Sequence, residues 1–577
     1  MRRGASALAA AFAALIVAVA FGVGSGPPRV IANAPVRDGA QGAAAASARA
    51  SALDVVSQGV SSTNAVAWQA AGFNGQGVTV AVIDSGFKDL SAVSNVTLAG
   101  QYCSDVNSSV HGSAVADIVR EMAPYATILL YCVDTETQLA TAAAAAEGQG
   151  ARIIVESLSW FNSSRGDGTG QTGPDAVVRD ARLNHGVLWV NSAGNFARRH
   201  WSGTFTDADG DGWNEFAPGD EGNSFTIPGH GSTCFYLKWD SWASPRDPNF
   251  DLHLWRQMGS STTDQVATGS PDPSAVPIVS STEGELTDRP AEQECWTNIS
   301  DDATNVFLAI YHRSGSSSPR FDLFETAYDL QYQTTAGSVA EPATSPYVLG
   351  VGAACWQGNG LESYSSQGPT IDGRVKPDLV GPDSISSPFP AFGSYSGECG
   401  TSGFRGSSAA APHVAGAAAL VLSRNPGWSA DQVQSYLQQN ATNIGPAGKD
   451  NASGAGMLHL PNFAPPPPAP PPPAPKVRIA YFQTLPARSR AGQPFRAQAV
   501  VKANGQFITQ GRVSCPATLA GRALKAKTAR FRGGVASCAW SLPRKAGGKL
   551  LRGSLRVTYQ RGTARRTFQQ RVRPRRR

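Results

Sequence analysis

With 577 residues the chain is too long for one compact core, and roughly two to four domains are expected. Its formal charge of +6 conceals a split: residues 476–577 carry 25 Lys and Arg with no Asp or Glu, leaving 24 basic against 43 acidic residues before them. Eight cysteines, an even number without a CxxC pair, argue against a CxxC metal or redox site and for disulfides in an exported protein.

The N-terminus has Arg2 and Arg3, an apolar Ala-rich run from Ala5 to about Val23, and the small-x-small site Ala32-Asn33-Ala34. This is the layout of a secretory signal peptide over 1–34, with an uncleaved anchor as its rival. Residues 35–54 are Ala/Ser-rich and read as a short disordered leader. From there, short apolar runs (Gly77–Ile83, Ile128–Val133, Arg152–Val155 and Val187–Asn191) alternate with helical stretches at Gly112–Glu121, 138–147 and Asp175–Asn184. Runs buried on both faces, alternating with helices, predict an α/β domain around a mainly parallel sheet.

The pattern changes after Asn195. Residues 200–335 are rich in Gly, Ser, Asp and aromatics, alternate at Phe250–Leu254, and predict an inserted β-sandwich. The α/β pattern resumes near Val348, so the first domain is expected over 55–199 and 336–462. Pro465–Pro475 is all proline except Ala469 and Ala474, a polyproline II spacer of ~3.1 Å per residue within a linker at 463–475. Beyond it, 476–577 predicts a small basic β-sandwich closed by Cys515 and Cys538. Nearest-neighbour pairing would supply four bridges, although spacing alone leaves the connectivity open.

Three segments carry chemistry. Asp84 ends the first buried strand, where polar side chains line the crevice of a parallel sheet. His111 opens a helix whose next residues, Gly112, Ser113 and Ala114, are small. Gly406-Ser407-Ser408-Ala409-Ala410-Ala411-Pro412-His413 delivers a serine into an Ala-rich helix, with Pro412 expected in its first turn, where no hydrogen bond is lost. Asp, His and Ser in this order, each in its own setting, resemble the subtilisin-like serine proteases (subtilases). In that family proline lies four residues after the nucleophile, which selects Ser408 and leaves Ser407 in the usual threonine position. Departures are Ala114, where a second histidine is common, and Ala409, where methionine is frequent.

The resemblance implies roles for further residues. Asn195, in Asn191-Ser192-Ala193-Gly194-Asn195, matches the oxyanion asparagine. Ser157, Leu158 and Ser159 match the segment that pairs with extended substrate; Ser159 and Trp160 replace its usual glycine-containing opening and imply a narrower or differently shaped specificity pocket. Tyr364–Thr370 with Arg374–Asp378 matches a hallmark expected to support the core. Many subtilases carry a folded propeptide, for which the interval between Ala34 and Val55 is too short. Asp207, Asp209 and Asp211 have the spacing that opens a Ca²⁺ loop, but Pro218 stands where an EF-hand needs glutamate.

The expectation is therefore a secreted serine endopeptidase acting on proteins or peptides through Asp84, His111 and Ser408. No cofactor enters the chemistry, and structural calcium would be held at the aspartate loop. The basic domain would bind anionic cell-wall polymers rather than specific nucleic acid. The competing class is an exported surface-binding protein whose protease fold is inactive or secondary.

Overall fold

The apolar runs between glycine-bearing turns become the strands of one parallel sheet. A computed structural model describes residues 31–32, 56–245, 247–256, 279–281, 289–316, 318–358, 360–393, 399, 403–462 and 474–575. The expected signal segment (apart from 31–32), the leader and most of the proline spacer lie outside the described residues. The chain divides into two compact units, Met1–Ala464 and Pro465–Arg577.

In the first unit the sheet has seven strands among the described residues. Their order is Leu379–Asp383, Val348–Cys355, Leu188–Ser192, Ile153–Glu156, Thr79–Asp84, Thr127–Cys132 and Val96–Gln101, each pair parallel. The α/β reading holds. Helices His111–Met122, Glu136–Gly148, Gly173–Leu183 and Ser407–Arg424 accompany it. The second helix begins two residues before the expected start because Thr135 and Gln138 form a capping box, each side chain bonding the other's backbone N–H. One face of the sheet packs Val80, Val82, Ile153 and Val155 against the Ala-rich helix 407–424; the other packs Ile83, Tyr131 and Ile154 against Leu139 and Ala142.

Between Asn195 and Val348 stand two four-stranded antiparallel sheets. One is ordered Ala291–Thr297, Ser232–Trp239, Arg320–Glu325, His200–Thr204, and the other Val279–Ser281, Asn249–Arg256, Thr304–Ser314, Asn223–Ile227. They share a core of Phe235, Leu237, Trp239, Phe250, Leu254, Ile310 and Phe321. A second cluster of Phe161, Phe196, Tyr236, Phe324 and Ala340 joins this insertion to the residue that follows Asn195. The second unit consists of two antiparallel sheets around Phe495, Trp540, Leu551, Leu555 and Val557. All eight cysteines pair with their sequence neighbours: 103–132, 234–295, 355–399 and 515–538. Among the described residues no helix is long and apolar enough to cross a membrane.

The Arg374–Asp378 segment anchors the edge of the parallel sheet. Lys376 Nζ donates to Asp378 Oδ2 at 2.6 Å and to Val348 O at 2.7 Å, while Asp378 Oδ2 also accepts Gly350 N–H at 2.9 Å. Both side chains are buried. Asp378→Ala would leave the Lys376 ammonium buried without its counter-charge and is expected to cost about 3–5 kcal/mol. Denaturant unfolding measures this; a loss under about 1 kcal/mol would show that Lys376 is neutral in the fold.

Candidate active site

Asp84, Ser157 and Asn195 lie at or just after the carboxyl ends of strands Thr79–Asp84, Ile153–Glu156 and Leu188–Ser192, the crevice such a sheet offers to ligands. Asp84 ends strand Thr79–Asp84 and His111 opens helix His111–Met122; both are buried. His111 Nδ1 lies 2.8 Å from Asp84 Oδ2 and 3.0 Å from Oδ1. A carboxylate can only accept here, so Nδ1 carries the proton and Nε2 presents its lone pair. Nε2 is buried with no hydrogen-bond partner. The close approach requires Gly112, where a Cβ would meet Gly86 O at 2.5 Å and Asp84 Cβ at 2.7 Å.

Ser408 is the second residue of helix Ser407–Arg424 and is fully buried. Pro412 is not in the first turn, as expected from the sequence, but is the sixth residue of this helix. Its missing N–H therefore deprives the Ser408 carbonyl of its i+4 donor. Ser157 compensates: its hydroxyl donates to Ser408 O at 3.2 Å, and Ser408 Oγ in turn donates to Ser157 O at 3.4 Å. The proline thus couples the start of this helix to the segment expected to bind substrate. Asp84 and His111 are joined, and Ser408 and Ser157 are joined; the Ser408–His111 hydrogen bond is not closed in this geometry. Catalytic hydrogen bonds are often open without substrate.

Asn195 approaches the same turn. Its Oδ1 accepts Ser407 N–H at 2.9 Å and the Ser407 hydroxyl at 3.2 Å, which fixes the amide so that Nδ2 is buried without a hydrogen-bond partner. Gly406, at φ +105°, leaves room for that amide; a Cβ there would sit 2.7 Å from Nδ2. Ser407 Oγ also accepts Gly194 N–H at 3.1 Å, so the adjacent serine ties the Gly194–Asn195 loop to the helix.

Sequence reasoning missed Asp383. This fully buried carboxylate ends strand Leu379–Asp383; it accepts Gly406 N–H at 2.5 Å, the Ser384 hydroxyl at 2.9 Å and the Tyr364 hydroxyl. Desolvation raises its pKa to about 6. Its signal was the one that marked Asp84, an acidic residue closing an apolar run.

Ser157, Leu158 and Ser159 are fully buried, and Leu158–Ser159 is already paired. Ile31–Ala32 lies antiparallel to it, with Ile31 opposite Ser159 and Ala32 opposite Leu158. This edge takes an extended strand. Glu156, immediately before it, is fully buried, accepts Trp160 Nε1–H at 2.6 Å and Trp189 Nε1–H at 3.2 Å, and is pushed by desolvation to about 8.

The carboxylates of Asp207, Asp209 and Asp211 lie within 4.8 Å of one another. Asp207 Oδ1 already accepts Gly210 and Asp211 N–H, and Oδ2 accepts Gly212 N–H. Asp209 Oδ1 and Asp211 Oδ1 accept backbone N–H groups as well, and three carboxylates so engaged fall short of the six to eight oxygens calcium takes.

This arrangement, a buried Asp–His pair beside a serine at a helix start with an orphaned amide, defines a subtilisin-like α/β domain. Residues 325–456 match the Subtilase family. The chain is 35% identical over 125 residues to Subtilisin Savinase of Lederbergia lenta, covering 22% of this chain and 40% of that protein. It is 38% identical over 111 residues to Alkaline elastase YaB of Bacillus sp. (strain YaB), covering 19% and 26%. The matched regions thus span less than half the length of these relatives. The Clostridium perfringens CspB protease structure aligns over 70% of this chain and 97% of its own, at TM-score 0.47 and 17% identity. Asp84, His111 and Asn195 lie outside 325–456.

Glu156 has a pH consequence. With its pKa raised from 4.5 to about 8, the folded chain holds a proton that the unfolded chain releases, so its contribution to stability falls as pH rises through that window. Glu156→Gln should give a shallower loss of melting temperature between pH 5 and pH 9 than the parent. Parallel curves would show that Glu156 is ionised in the fold.

Proposed function

We propose that the chain is a secreted serine endopeptidase that hydrolyses peptide bonds through an acyl-enzyme. The observation that carries this reading is the buried Asp84–His111 pair, whose unpartnered Nε2 and the unpartnered Asn195 Nδ2 are two polar atoms with work left to do. A buried polar group without a partner costs ~1–3 kcal/mol, a standing cost that substrate relieves at both positions. Ser408 Oγ attacks the peptide carbonyl carbon and its proton passes to His111 Nε2. Asp84 stabilises the resulting imidazolium through Nδ1–H. The carbonyl oxygen takes up the electron pair between Asn195 Nδ2–H and the Ser408 backbone N–H. Collapse expels the amine, which receives the proton from His111, and water repeats the sequence on the ester.

The substrate is an extended protein or peptide strand laid along Ser157–Ser159. Support comes from Ile31–Ala32, a stretch of ordinary chain pairing with that edge, the mode by which extended peptides join an exposed strand. Those residues belong to the segment expected to be removed on export. Four disulfides and the Arg2-Arg3 apolar leader favour an extracellular site of action. The basic unit would hold the enzyme at anionic cell-wall polymers.

Fluorophosphonate labelling tests the nucleophile. Ser408→Ala should abolish both labelling and peptidase activity, whereas Ser407→Ala should still label. The reverse pattern would put the nucleophile at Ser407, and no labelling of the parent would favour the binding protein.

Asn195→Ala should lower kcat about 10²–10³-fold with little change in KM, the loss one oxyanion donor carries in subtilisin, the reference case. Near-normal turnover would remove Asn195 from the mechanism.

A further inference from the structure

The 25 cations of residues 476–577 have no Asp or Glu in the same segment to pair with. Their placement is uneven. On the sheet ordered Val477–Leu485, Pro494–Ala503, Val535–Ser541, Thr528–Arg532, cross-strand register fixes which side chains share a face. One face is core: Phe495, Ala497 and Ala499 with Ala536, Cys538 and Trp540, all buried. The opposite face is polar and cationic. Arg496 lies opposite Ala539, which lies opposite Thr528; Gln498 lies opposite Ser537, which lies opposite Arg530; Arg532 lies opposite Val535.

Arg496, Arg530 and Arg532 are exposed and surround a concavity of about 220 Å³ floored by Gln498, Ser537 and Thr528. The polar floor continues onto the next strand: Tyr481 OH donates to Gln483 Oε1 at 3.2 Å, and Gln483 Nε2 donates to Gln498 Oε1 at 3.1 Å.

We propose that this concave sheet face, with Arg496, Arg530 and Arg532 as its cationic contacts, is a binding site for an anionic glycopolymer. The proposal gives the charge-based wall attraction a specific site and rests on that reading, not on the protease activity. Arg530 and Arg532 are two residues apart on one strand, about 7 Å, and Arg496 is two strands away, about 10 Å. Such spacing suits anionic groups repeated along a polymer rather than one small ion. Guanidinium forks bind carboxylate or phosphate oxygens in pairs. The Gln, Ser and Thr side chains between them suit the hydroxyls of a sugar or polyol. Tyr481, the one aromatic of the strand Val477–Leu485 on this face, has its hydroxyl held by Gln483. Phe507, opposite Lys502, shares this face and has the Lys502 ammonium over its ring; two aromatics are short of the series that single-stranded nucleic acid favours.

The test uses the full chain carrying Ser408→Ala, so that it cannot digest itself, and measures binding at physiological salt to polygalacturonate, poly(glycerol phosphate) and a single-stranded oligonucleotide. The triple variant Arg496→Gln/Arg530→Gln/Arg532→Gln is compared with Arg522→Gln/Arg556→Gln/Arg565→Gln, which removes equal charge from exposed positions elsewhere in the unit. The face variant should lose at least tenfold in affinity for one of the two glycopolymers, and the control no more than about twofold; which polymer responds identifies carboxylate or phosphate as the anion. A charge-keeping Arg→Lys triple at the face, expected to lose several-fold, guards against an effect of folding. Equal losses in both triples would overturn the site but leave the unit's general attraction. Failure of the parent to bind either glycopolymer would overturn both, and tighter oligonucleotide binding abolished by the face variant would make this a nucleic-acid site.

Discussion

The start of the helix Ser407–Arg424 is the constraint on which the site depends. Pro412 removes one helical hydrogen bond, and the carbonyl left over belongs to Ser408. The hydroxyl of Ser157, on the segment next to the strand-accepting edge, donates to it. The turn before the helix is held just as tightly: Gly406 N–H by Asp383, Ser407 N–H by Asn195, Gly194 N–H by the Ser407 hydroxyl. The tethers come from, or just after, the carboxyl ends of three strands: Ile153–Glu156, Leu188–Ser192 and Leu379–Asp383. The parallel sheet therefore does more than gather polar residues at one edge; it fixes one helix terminus in position and rotation. A nucleophile must be placed to within a fraction of an ångström for its proton to reach the base, and side chains on rigid elements give that placement where loops do not.

A second buried histidine shows what the helix asks of its surroundings. His413 Nδ1 donates to Ala409 O at 2.8 Å, so Nε2 accepts the Ser57 hydroxyl at 2.7 Å, and burial lowers its pKa to about 4. Ser57 also caps the short helix Gln58–Ser62, and Gly59 is needed because a Cβ would fall 1.9 Å from the His413 ring. This is a serine–histidine pair with every polar atom engaged. His111 differs in that its Nε2 has none, which is what the role proposed for it requires.

Much of this could be read from residues in order. Asp84, His111 and Ser408 stand out because small neighbours crowd each of them, and Gly112 and Gly406 prove to be positions where a Cβ would collide with the site. The strands were legible because both faces are buried, so nothing interrupts the apolar run. What was not legible depended on contacts across hundreds of residues. Asp383 looks like any acid closing a strand until Gly406 and Tyr364 are brought to it. Pro412 was placed a turn too early because the helix begins at Ser407, where Gly406 at φ +105° breaks the preceding chain. The Asp207 loop carries metal-like spacing, yet its first carboxylate is taken up by three backbone amides, a use of aspartate that spacing cannot distinguish from ligation.

The two units treat charge in opposite ways, and the contrast bears on where each can act. In the first unit, carboxylates are driven into the core and neutralised by burial: Glu156 and Glu121 rise to about 8, and Glu325 to about 7, all chiefly through desolvation. Glu156 and Glu121 are thereby biased toward the protonated form near neutral pH, whereas Asp378, facing Lys376, is held ionised. The second unit keeps its arginines and lysines on strands whose inward residues are Ala, Phe, Val and Trp, and it contains no acid to neutralise them. Self-repulsion within it is offset only by solvent and salt, so an anionic surface stabilises it as well as being bound by it. The attraction that would carry the chain to a polyanion is thus set by a unit apart from the one in which peptide bonds would be cut. Changes of ionic strength should act on the first property and leave the buried Asp84–His111 pair, shielded from solvent, almost untouched.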